Sequence, residues 1–219
     1  MSAMDPGEEL RRDVAAARAR FAEEGGGATT TVLRNDGPYR HVRFDFPRAS
    51  WRWCEVVTWP DVLVLRGDLG VWSFGRPGDG LEGFRLPGGE AGRVDPARWA
   101  ERLVSGGPGA ALRYCAARAA AYVRAAVTAG AERHEGLAEE AEEFFFGARA
   151  GTDLSTEKGL LEAVGRFEER HADVYEGFRF PVETWEPHRY DPGFLLACVM
   201  LPWAVAEYDA AASAVSRVA

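Results

Sequence analysis

The chain has 219 residues, a mass of 23.9 kDa and a formal net charge of −8, with 47% apolar and 27% charged residues. This is ordinary globular composition, and a chain of this length buries roughly 70% of its unfolded surface without a disulfide or metal staple. It excludes a mainly disordered, collagen-like or membrane-spanning protein, and the charge disfavours steering toward nucleic acid or anionic lipid.

The acidity is uneven: residues 1–110 hold 15 basic and 16 acidic side chains, residues 111–219 hold 11 and 18. Lys158 is the one lysine and the other 25 basic residues are Arg, which points to a GC-rich coding sequence and lowers the weight of any single Arg. Cys54, Cys115 and Cys198 lie far apart, with no Cys-x-x-Cys. An odd, scattered set predicts buried thiols in a reducing compartment rather than a disulfide framework or a zinc site. The start, MSAMDPGEELRR, lacks the apolar stretch of a secretory signal, so a cytoplasmic protein is expected.

Asp-Pro precedes three helical patterns, at Asp5-Pro6, Asp95-Pro96 and Asp191-Pro192. Asp accepts from free backbone N–H groups, and Pro at the first helical position loses no hydrogen bond. Helices are predicted over about 6–24, 95–104 and 192–212. The first, ending at Gly25-Gly26-Gly27, reads as a separate surface helix covering 1–27, with a single domain over 28–219.

Val42, Phe44 and Phe46 alternate with His41, Arg43 and Asp45, the pattern of a half-buried strand. Trp51 to Trp59, Val62 to Arg66 and Val71 to Arg76 read as three more, with turns at Trp59-Pro60-Asp61 and Gly67-Asp68-Leu69-Gly70. Connections this short forbid helical crossovers, so an antiparallel meander of about four strands is predicted over 40–76. Helices follow over Ala110–Ala129, Ala131–Phe146 and 154–175, with a break at Gly130; Gly177 to Trp185 reads as an edge strand limited by Pro181. The 14-residue apolar run Gly193 to Ala206 is short of a bilayer span and reads as a buried helix. The fold class is α+β, strands first and helices after.

Motifs of chemistry are sparse. Gly78-Asp79-Gly80-Leu81-Glu82-Gly83 matches G-x-G-x-x-G, but it follows a meander strand rather than opening a parallel βαβ unit, so it reads as a surface loop. Glu168 and His171 have the Glu-x-x-His spacing of di-iron bundles without the second pair, and read as an exposed polar face; His134 beside Glu135, Glu139 and Glu140 reads the same way. No nucleophile or phosphate-loop motif occurs, and no cofactor or metal is expected. His41, Arg43 and Asp45 share one strand face and form the main polar candidate, with Asp68 as a further member for a ligand-binding or enzymatic role. Trp51, Trp53 and Trp59 lie at odd spacing and are candidates for one shared face, where exposed Trp and Arg would concentrate binding energy.

The string YRHVRFDFPRASWRWCEVVTWPDVLVLRGDLGVWSFGR, residues 39–76, resembles an opening sheet motif of a family of uncharacterised phage and prophage proteins. The resemblance rests on Arg40-His41, Thr58-Trp59-Pro60, Gly67-Asp68-Leu69-Gly70 and Phe74-Gly75-Arg76, and on the apolar helix LLACVMLPWAVAEYD ending at Tyr208-Asp209. It covers about a quarter of the chain and departs from the family in the Gly-rich stretch 77–92. It implies a mobile-element origin and brings no assigned activity. The sequence therefore leads to a non-enzymatic accessory protein that binds a host protein, an inhibitor of host defence being one form, with His41, Arg43, Asp45, Trp59, Asp68 and Arg76 as the candidate face. A ligand-binding or enzymatic role, and a homo-oligomeric assembly role, are the alternatives.

Overall fold

The structure, a computed structural model, describes residues 6–75, 78–85, 94–147 and 152–216. Five strands run β1 (Thr29–Asp36), β2 (Tyr39–Asp45), β3 (Trp53–Trp59), β4 (Val62–Gly67) and β5 (Gly70–Gly75), and they pair antiparallel in that order. The chain is α+β, as its pattern predicts, and its meander has one strand more than the apolar alternation reveals. That strand, TTTVLRND, has only Val32 and Leu33 to mark a period; its signal is β-branched Thr. It carries a bulge between Val32 and Arg34, a common device at a sheet edge. Trp51 lies before β3 and is buried.

By contact the described residues gather into two units: the chain up to Leu112 together with Tyr190 onward, and Arg113–Arg189. The sequence reading places 28–219 in one domain.

In the first unit α6 (Pro192–Ser216) lies against one face of the sheet. Phe44 and Phe46 meet Trp203 at 5.3 and 5.4 Å between ring centres, Trp72 and Phe74 meet Phe194 at 5.2 and 6.5 Å, and Cys54 Sγ stands 3.7 Å from Met200 Sδ. Helix α1 (Pro6–Glu24) packs on α6 as well, burying Ala17 and setting Phe21 5.4 Å from Trp203. Most of α1 stays half-buried or exposed, and Ala17 and Phe21 are its points of contact with this core. By length and composition α6 could cross a membrane; in the fold its apolar sides are covered by the sheet and by α1. Asp191 Oδ1 accepts from Gly193 N at 2.7 Å, and Asp95 Oδ1 from Arg98 N at 3.1 Å at the start of α2 (Pro96–Ala100), so both described Asp-Pro sites cap helices. Asp5 lies outside the described residues. The edge of β5 is covered by the segment after α2, where Gly75 N donates to Arg102 O (2.8 Å) and Val104 N to Ser73 O (2.9 Å).

Several polar residues of the segments 39–76 and 193–209 have structural partners. Arg40 donates to both oxygens of Asp79 (2.7 and 2.8 Å) and to Tyr208 Oη (3.1 Å), which donates to Asn35 Oδ1 (2.7 Å). Arg85 grips Asp209 with two bonds of 3.0 and 2.9 Å. Thr58 donates to Pro38 O at 2.7 Å. These bonds pin α6 at Tyr208–Asp209 and the loop 78–85 to the β2 side of the sheet.

The chain leaves this unit in β6 (Leu112–Tyr114) and returns in β7 (His188–Tyr190), and these two short strands pair with each other. The second unit contains α3 (Ala116–Ala131), α4 (Leu137–Phe146) and α5 (Glu157–Arg170) around Val123, Leu137, Phe145, Leu160 and Phe167. The predicted edge strand at Gly177–Trp185 is instead irregular, with one 3₁₀ turn at Val182–Thr184. Phe178 and Phe180 are both buried, in contact at 4.9 Å, so they fill a helical core rather than flank a ladder. Gly130, predicted as a break, is the penultimate residue of α3, which ends at Ala131; a Cβ there would run into Phe178 and Leu137.

Two substitutions test this packing. Phe194→Ala should cost about 3–5 kcal/mol in urea unfolding, as a ring is removed from a fully buried site. Gly130→Ala should destabilise by about 1–3 kcal/mol through overpacking, against the stabilisation expected for an exposed helical Gly→Ala change.

Candidate functional site

Period-two alternation sends Val42 and Phe44 toward α6 and His41, Arg43 and Asp45 to the other face. Strand register then assembles that face. Arg43 lies opposite Glu55, Glu55 opposite Arg66, and Arg66 opposite Val71; His41 opposes Val57, Val57 opposes Val64, and Val64 opposes Ser73. Every side chain on this face is half-buried or exposed except Glu55, which is 4% exposed. Three neighbours cover its carboxylate. Arg43 Nη1 stands 3.2 Å from Oε1; Arg66 Nε, Arg66 Nη2 and His41 Nε2 stand 2.8, 2.6 and 3.0 Å from Oε2. Arg43 also grips Asp45 at 2.9–3.2 Å and lies 4.9 Å over the Trp53 ring.

Burial pushes the Glu55 carboxyl up, but the hydrogen bond from Arg66 and the nearby His41 outweigh it and hold the group below its ordinary 4.5. The row Asp45–Arg43–Glu55–Arg66 is thus a line of mutually neutralised charges. Beside it lies an apolar plate of Val57, Val62 and Val64, ending at Tyr39 and Trp59, which are 45% and 40% exposed.

The structure brings His41, Arg43 and Asp45 together, with Trp59 on the same face. Trp53 shares that face with Trp59; Trp51 does not. Asp68 is elsewhere: its Oδ2 accepts from Arg52 N at 2.7 Å and holds the β4–β5 turn. Arg76 lies outside the described residues. Glu55 and Arg66 are members that sequence reasoning missed. Glu55 alternates correctly in β3, but only the register reveals that it is the centre of the row.

The other motifs resolve structurally. Gly78–Gly83 contains a 3₁₀ turn beginning at Glu82, and Asp79 is held by Arg40, so no helix N-terminus faces a phosphate. Glu168 accepts from Phe180 N at 2.7 Å. His171, expected on an exposed face, is 8% exposed; its Nδ1 faces Phe167 O at 2.9 Å and its Nε2 faces Glu140 Oε1 at 3.1 Å. It is buried because its ring packs on Phe167, 4.3 Å away. His134 packs edge-on against Tyr175 and Phe178. Among the described residues no group of three or more His, Cys, Asp or Glu is placed to hold a metal ion. Burial pushes the Cys54 thiol up to about 12 and the Cys198 thiol well above its ordinary value.

Compared with protein-family models, curated proteins and solved structures, the chain finds no match.

Because the Glu55 pKa is depressed in the fold, its contribution is present above 4.5 and is lost as pH falls through the lower folded value. Acid titration of stability should therefore be shallower below pH 4.5 in Glu55→Gln than in the parent. A residual slope should remain, since at Asp79 burial is likewise outweighed by Arg40, which lowers that carboxyl. In the native protein, iodoacetamide should label Cys115, which is half-buried, and spare Cys54 and Cys198, as peptide mass spectrometry would show.

Proposed function

We propose that the protein is a non-enzymatic accessory protein of phage or prophage type, working in the bacterial cytoplasm by binding a host protein through the open face of its sheet. The observation that supports this most is β4. Its Val62-Leu63-Val64-Leu65 is apolar on both sides, the pattern of a strand covered on both faces. Leu63 and Leu65 are buried, while Val62 and Val64 stay half-exposed beside Trp59 and Tyr39. Exposed aromatic and aliphatic side chains gathered on a rigid sheet are the material of a protein contact. The neighbouring charges suit this role: each Arg of the row already faces a carboxylate, so covering it leaves no lone ion desolvated.

The test is capture from a GC-rich bacterial lysate with tagged parent protein, Trp59→Asp, Val64→Asp and the control Leu161→Asp, which alters an exposed position of the second unit. Parent and control should retain one host protein at near-stoichiometric yield. Both face variants, shown folded by circular dichroism, should lose it; an aromatic hot spot is worth at least about 2 kcal/mol, roughly thirtyfold in affinity. Equal capture by the face variants, or no capture by the parent, overturns the proposal.

A further inference from the structure

We draw no further inference here: the strongest candidate, the apolar plate of Val57, Val62 and Val64 with Tyr39 and Trp59 on the open sheet face, belongs to the site already described, and nothing in the structure shows what covers it.

Discussion

Helix α6 is the constraint around which the first unit is organised. It is apolar on all sides, so a single packing partner cannot satisfy it. The sheet takes one side through Phe44, Cys54, Trp72 and Phe74, and α1 takes another through Phe21 and Ala17. This explains why an Ala- and Arg-rich N-terminal helix belongs to the core unit. A polar clasp interrupts this apolar surface short of the C-terminal end: the helix carries Tyr208 and Asp209, and Arg40 and Arg85 meet them there. Those bonds fix how the helix sits along the sheet, which area burial alone leaves free to slide.

Committing one face of the sheet to α6 leaves the other to manage its own polarity. Glu55 is the test of that management. A carboxylate at 4% exposure is unfavourable unless paired, and here three cationic or hydrogen-bonding groups on two neighbouring strands converge on it. The result is a nearly neutral row of paired charges. Both arginines face carboxylates, and His41 faces the same Glu55 oxygen that Arg66 does. Such a row limits slippage, because a one-residue shift of β2 or β4 would carry Arg43 or Arg66 to the α6 side. The same row borders the apolar plate of Val57, Val62 and Val64.

The second unit shows a similar economy with polar groups. Both ring nitrogens of His171 face acceptors, one on its own helix and one on α4, while Glu168 satisfies the backbone N–H of Phe180. Spacing that resembles metal ligation is used to tie α4, α5 and the following segment around an aromatic core of Phe144, Phe145, Phe167 and Phe180.

The sequence by itself determined the elements whose signals are local. Alternation in His41–Phe46, the turns at Pro60-Asp61 and Gly67–Gly70, and the Asp-Pro caps at Asp95 and Asp191 all depend on residues within one turn or one strand, and they place the meander, its hairpins and the helix starts. Thr29–Asp36 stayed hidden because an edge strand held by its backbone ladder needs no apolar period, and 177–185 misled because two core phenylalanines at spacing two imitate a strand. The composition of one sheet face, with His41, Arg43 and Asp45, was also legible. Only the tertiary structure decided that Glu55 and Arg66 complete it, that the Asp68 carboxylate is taken up by Arg52 N instead of joining it, and that His171 is buried. Register and helix packing join residues far apart in the chain, and no local pattern records which strand atoms will face one another.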